Sequence, residues 1–348
     1  MEFSGSSFEE ARAKRDDYLR ENGKPLPRTE RPKPITVKAF SEVFLENRKT
    51  HKRFATYRDY KFTLAHINPY IGDLKIGELS DDHIKAMYRA LEAKVSLSMR
   101  KRVHVTLRAV LNYAIECKKI RFSPLATMKQ DTPHYKPPEI RPLEDTEIMR
   151  LFQAVKDDRL EALYILALDS GARQGELFAL EWPDLDLERR SVFIQRQAVE
   201  VEGGIQIERC KTEKSRRRLE ISADTVQSLK RRKAKAMKEG LGDCRLVFPT
   251  ESGKVLHKSN FTRKMWEPLK KAAKLSCRFH DLRHTCAVLC LIDDVHPKVV
   301  QERLGHASIV QTMDTYSAWI PSLQAGAAAA ISHAFKRLNK RKPLRLVS

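Results

Sequence analysis

Four prolines, Pro133, Pro137, Pro138 and Pro142, crowd into the short stretch between Lys129 and Pro142. A proline ring lacks the N–H that helices and central strands need, and it pushes the preceding residue into an extended conformation. Such a run favours an extended linker over a helix, so residues 129–141 read as a linker between two bodies, and 348 residues suffice for two hydrophobic cores. On its N-terminal side, over residues 34–128, apolar positions recur at three and four: Phe40, Val43, Phe44, then Ile84, Met87, Leu91, then Val103, Leu107, Val110, Leu111, Ala114. That spacing predicts four or five helices and an all-α first domain. Residues 1–33 are polar, with one helix-like stretch over 8–21 and a proline-bearing end, and read as a tail. Beyond the linker a helical pattern covers roughly 144–169, Gly171 breaks it, and a short helix follows over about 174–182. Then the period changes to two, in Ser191-Val192-Phe193-Ile194, in residues 199–207 with Gly203-Gly204 as a turn, and in Arg218-Leu219-Glu220-Ile221, as in a small antiparallel sheet. Helical spacing returns after Ser222, interrupted at Leu246-Val247-Phe248-Pro249. The fold class is therefore mainly α with a small antiparallel β-sheet in the second domain, an α+β arrangement, with that domain over 142–335 and a basic tail over 336–348.

Charge says what such a chain would touch. Lys plus Arg number 66 against 45 Asp plus Glu, a formal charge of +21, which calls for a polyanionic partner. No run of 18 apolar residues could span a bilayer, and the first 30 residues lack the apolar segment of a secretory signal, so a nucleic acid in the cytoplasm is the expected partner and place. The charge is clustered. Residues 94–122 hold eight bases against one acid, including Arg100, Lys101, Arg102, Lys118 and Lys119; residues 209–238 hold twelve against three, including Arg216 and Arg217; after Asp314 there is no acid. Any one cluster reads equally well as a solvated face, but one in each domain suggests a two-domain clamp on double-stranded DNA. The six cysteines, Cys117, Cys210, Cys244, Cys277, Cys286 and Cys290, form no CxxC pair and no zinc spacing with histidine, as expected of reduced thiols.

Five short elements of the second domain share a chemical theme: groups suited to an oxyphosphorane-like transition state, and one phenol. Gly171-Ala172-Arg173-Gln174-Gly175-Glu176-Leu177 puts Arg173 at the start of a helix, where Glu176 can hold its guanidinium. Lys211-Thr212 falls at a turn between strands, where an isolated lysine is ordinarily solvent dressing. His280-Asp281-Leu282-Arg283-His284-Thr285 opens a helix and sets His280 and Arg283 on one side. Leu304-Gly305-His306 reads as a helix stop followed by an exposed imidazole, and ten residues on lies Tyr316.

Each element alone is weak. The ordered set resembles the tyrosine recombinase family, which includes the phage integrases, over nearly the whole chain. The resemblance implies that residues 34–128 are a helical core-DNA-binding domain and 142–335 the catalytic domain. It implies Tyr316 as the nucleophile that forms a 3′-phosphotyrosine, Arg173 and Arg283 as ligands of the non-bridging oxygens, and Lys211 as the acid that protonates the departing 5′-oxygen. His280 and His306 would hydrogen-bond the phosphate, and Glu176 would orient Arg173. With two arginines and a lysine supplying charge, it implies no metal, no ATP and no other cofactor. It also implies a homotetramer on two DNA sites, with accessory DNA-bending proteins as further partners. Two features depart from the family pattern: Ala318 stands where many relatives have a histidine, and only residues 8–21 resemble part of an arm-site-binding module. The competing readings are nicking and closing of the type IB topoisomerase kind, and a DNA-binding regulator on a recombinase scaffold.

Overall fold

The computed structural model describes residues 8–22, 34–51, 53–128, 133–135, 140–210, 215–317 and 331–337. The chain divides into two compact units, Met1–Lys136 and Pro137–Ser348, and the division falls inside the proline-bearing segment.

The first unit is helical: α1 (Phe8–Asn22), α2 (Val37–His51), α3 (Phe54–Ile71), α4 (Asp81–Glu92) and α5 (Leu97–Glu116). Serines set two of the starts. Ser80 caps α4, its Oγ accepting from the His83 N–H while His83 Nδ1 accepts from the Ser80 N–H, and Ser96 caps α5 by accepting from the Met99 N–H. Phe40 and Phe44 of α2, Ile67 of α3, Ile84 of α4 and Leu107, Val110 and Leu111 of α5 meet in one core, each at most 1% exposed. Burying each such side chain contributes about 1.5–3 kcal/mol.

In the second unit the stretch over 144–169 is two helices, α6 (Asp145–Val155) and α7 (Glu161–Ser170). Asp157 takes a left-handed conformation (φ 63°) between them, which no continuous helix allows. After α8 (Gln174–Phe178) come β1 (Leu185–Asp186), β2 (Ser191–Ile194), β3 (Arg196–Val201), β4 (Gly204–Arg209) and β5 (Arg217–Glu220). These make two antiparallel sheets rather than one: β1-β2-β5, and a separate β3-β4 hairpin with Ala198 opposite Ile207. The remainder is α9 (Ala223–Lys238), α10 (Lys258–Phe261), a π turn over Thr262–Trp266, α11 (Glu267–Ala272), α12 (Asp281–Ile292), α13 (Pro297–Leu304) and α14 (Ile309–Tyr316). Leu163, Phe178, Val192, Phe248, Phe261 and Trp266 belong to the main core, while Ala287, Val288, Leu291, Val300, Leu304 and Tyr316 form a smaller cluster where α12, α13 and α14 meet. Residues 331–337 are helical.

Candidate active site

The first half of the site is built on the turn between α7 and α8. Gly171 ends α7 in the left-handed region (φ 60°), and Arg173 becomes the N-cap of α8 with extended backbone. Its N–H donates to Glu176 Oε2 at 2.9 Å, Nη1 donates to Glu176 Oε1 at 2.9 Å, and Nη2 donates to the Gly305 carbonyl at 3.1 Å. Glu176 is 3% exposed and also accepts from Arg217 Nη2 at 2.9 Å. Burial pushes the Glu176 carboxyl upward, but the Arg217 and Arg173 guanidiniums overcome it and hold the pKa below the ordinary value. The carboxylate thus stays ionised and fixes both arginines.

The second half comes from α12, α13 and α14. Arg283 is 4% exposed and donates from Nη1 to the Gly171 carbonyl at 2.6 Å. Burial, then the charge of Arg173, bring its pKa down to about 10, which leaves it charged at neutral pH. Gly305 ends α13 in the left-handed region (φ 65°), and His306 follows at 6% exposure, sharing a 2.8 Å hydrogen bond between Nδ1 and Thr312 Oγ1. Its carbonyl accepts from Gln301 Nε2 at 2.9 Å. Burial, with Arg283 and Arg173 next, lowers the His306 pKa to about 4. Tyr316, at the end of α14, is fully buried, and its hydroxyl shares a 2.7 Å hydrogen bond with His284 Nδ1. Burial pushes the phenol up to about 12 against the pull of Arg283. His280, whose ring lies 5.0 Å from that of His284, keeps an exposed edge; packing around the ring, then His284 and Arg283, still lower its pKa to about 4. The imidazoles are therefore neutral proton acceptors or donors beside two fixed positive charges and a phenol, an arrangement suited to transfer at a phosphodiester.

Residues 141–319 match the phage integrase family, and residues 37–131 match the phage integrase central domain. The chain belongs to the phage integrase family. A tyrosine recombinase XerC-like protein of Caldanaerobacter subterraneus subsp. tengcongensis is 30% identical over 366 residues, covering 96% of this chain and 92% of the relative. The integrase of Mycobacterium phage D29 is 26% identical over 79% of this chain and 72% of its own. Among solved structures, this integrase-family chain shares its fold with the Tn1549 transposon integrase in complex with a circular intermediate DNA (TM-score 0.71, 18% identity, 86% of this chain and 99% of that one). It shares it also with a lambda integrase tetramer bound to a Holliday junction (TM-score 0.61, 18% identity, 89% and 88%).

Within this family member the structure brings Arg173, Glu176, His280, Arg283, His306 and Tyr316 into one neighbourhood, while Lys211 lies outside the described residues. Two sequence expectations change. His306 is buried rather than exposed, because Thr312 and Gln301 fold over it. Arg217 is not a surface contact for DNA: it is 8% exposed, and besides Glu176 its guanidinium donates to the carbonyls of Arg303 at 2.6 Å and Ser215 at 3.1 Å. Lys101, Arg102, Lys118, Lys119 and Arg216 are exposed. Arg100 is half-buried and donates to Glu92 at 2.7 Å, and Arg102 is ion-paired with Asp59. His284 is the residue whose part the sequence reading missed. Its position four after His280, on the same helical face, was the available signal, but nothing in the spacing announced that it meets Tyr316.

Proposed function

We propose that this integrase-family chain is a site-specific recombinase that cuts and rejoins duplex DNA through a 3′-phosphotyrosine on Tyr316. The observation that carries the reading is the phenol beside Arg283, with Arg173 and His306 tied to the same backbone turns at Gly171 and Gly305. The Tyr316 oxygen attacks the scissile phosphorus as its proton passes to a neutral imidazole, His284 being the one in contact and His280 next to it. The bond to the 5′-oxygen breaks, and that oxygen leaves with a proton from Lys211. Arg173 and Arg283 hold the non-bridging oxygens, and His306 hydrogen-bonds the phosphate. Attack by a 5′-hydroxyl on the phosphotyrosine reverses each step, so the energy of the phosphodiester is kept. Support for DNA as substrate comes from the charge of +21 and from the DNA complexes of the structural neighbours. One active site makes one cut and strand exchange needs four, so a homotetramer on two sites is the working assembly.

The test is a labelled suicide duplex that traps the covalent adduct on denaturing gels. Wild type should form it, with or without excess EDTA, and Tyr316→Phe should bind the same duplex and form none. A persistent adduct in Tyr316→Phe would move the nucleophile to one of the other eight tyrosines, and loss of the adduct in EDTA would overturn the metal-free course. Relaxation of supercoils without exchange between two matching duplexes would favour the topoisomerase-like alternative.

A further inference from the structure

Helix α5 has a buried side and an uncovered one. Val103, Leu107, Val110, Leu111 and Ala114 are fully buried, whereas Lys101, Arg108 and Asn112 are exposed, with Val105 at 52% and Ile115 at 37%. At 100° per residue the five exposed positions share an arc of roughly 80°, one continuous ridge along the helix. The ridge lies in the stretch of eight bases against one acid.

Between the two faces sits His104, 5% exposed, with both ring nitrogens engaged. Arg108 Nη2 lies 2.7 Å from Nε2, and Tyr88 Oη lies 2.7 Å from Nδ1. A guanidinium can only donate, so Nε2 must accept, the ring proton resides on Nδ1, and Nδ1–H donates to the Tyr88 oxygen. Burial and then the Arg108 charge lower the His104 pKa, which keeps the ring in the neutral form that this requires. Arg100 and Arg102 on the same helix are ion-paired with Glu92 and Asp59, but among the described residues no carboxylate pairs with Arg108. A buried Tyr–His pair therefore orients one exposed guanidinium that its own unit leaves without a counter-charge. One N–H of five meets His104, and the residue itself is exposed.

Resting on the DNA-cleaving reading above, we propose that Arg108 and Asn112 read base edges in the major groove of the target duplex, with Tyr88 and His104 as the residues that position Arg108. The ridge has the chemistry for it. Arginine donates in bidentate fashion to guanine O6 and N7, asparagine pairs with adenine N6 and N7, and the exposed Val105, about one turn before Arg108 on the same ridge, offers methyl groups to a thymine methyl. The major groove admits one α-helix, and a guanidinium already held loses less freedom on binding.

The experiment is selection of bound duplexes from a random library by the full-length chain, comparing wild type with Arg108→Lys, Asn112→Ala, His104→Phe and His104→Gln, with circular dichroism as a check on folding. Arg108→Lys keeps the charge and loses the fork. It should retain the salt dependence of binding while the preference for guanine at one position falls by roughly 5- to 100-fold. Asn112→Ala should relax a nearby adenine. His104→Phe should weaken the same guanine preference as Arg108→Lys, and His104→Gln, whose amide oxygen can again accept from Arg108, should restore part of it. An unchanged consensus in Arg108→Lys, a uniform loss over all duplexes, or no consensus for wild type would overturn base reading. An intact guanine preference in His104→Phe would overturn the positioning role. The suicide-duplex adduct separates the two readings. Wild-type adduct with an Arg108-independent consensus sinks only this inference, and an Arg108-dependent consensus with no adduct on any duplex sinks only the catalytic one.

Discussion

His306 shows how a side chain of the candidate site is held at a cost that pH reveals. Its pKa in the fold is about 4, against an ordinary 6.5. Above pH 6.5 the imidazole is neutral folded and unfolded, and its titration takes nothing from stability. As pH falls below 6.5 the unfolded chain binds the proton first, so stability drops until the folded protein also protonates near pH 4. From this residue alone the loss by pH 5 is ~2 kcal/mol. His280 and His284, also lowered, act in the same direction. All three tryptophans, Trp182, Trp266 and Trp319, lie in the second unit, so their fluorescence follows its unfolding. The urea midpoint should fall between pH 7 and pH 5, and His306→Gln should remove part of that fall. An identical pH dependence in the variant would mean that His306 is not the buried neutral ring described. The sequence located this residue and misjudged its exposure, because a histidine after a helix-ending glycine looks like a surface group until the partners six and five residues away, Thr312 and Gln301, are seen to close on it.

The unit that aims the charges is the short helix α8, and its placement depends on one missing side chain. A Cβ on Gly175 would stand 2.9 Å from the Ala198 carbonyl oxygen, and that carbonyl belongs to β3, locked in register with β4. The strand cannot yield cheaply, so Gly175→Ala should displace α8 and with it Arg173 and Glu176. Alanine in an open helix would raise stability by about 0.4–1 kcal/mol; here it should lower it by about 1–3 kcal/mol. The yield of covalent adduct should fall by roughly 10- to 100-fold while duplex binding changes little. A stabilised, fully active Gly175→Ala would refute the close approach. Much of this element was legible. Gly171, Arg173 and Glu176 announce a helix end, a cap and its partner, and periodicity found the helices of both units. What spacing did not show was tertiary. The separation of the hairpin β3-β4 from the sheet β1-β2-β5 and the burial of Arg217 against Glu176 each depend on a neighbour distant in sequence, and the left-handed Asp157 that splits α6 from α7 carries no glycine or proline to announce it.

For the whole molecule the question is what couples one cut to the next. Under the recombinase reading proposed above, a single site that opens its strand freely would nick DNA without exchanging it, so cleavage is expected to depend on the presence of other protomers. The helical residues 331–337 carry apolar side chains that the described residues leave uncovered: Ile331 is 54% exposed and Phe335 61%, one turn apart on one face. In sequence the same spacing of four extends back through Ala327 to Leu323, which lie outside the described residues. An apolar stripe this close in sequence to Tyr316 suits a seat on a neighbouring protomer, where docking would report to Tyr316 that a partner is in place. Deleting residues from Gln324 onward should leave binding to a single site within about 3-fold, since the clusters around Arg100 and Lys118 are untouched. The same deletion should reduce four-protomer complexes on paired sites in native gels by tenfold or more, and it should let cleavage proceed without exchange. If the shortened chain still assembles four protomers and recombines at the wild-type rate, the tail folds back on its own unit and the coupling must lie elsewhere.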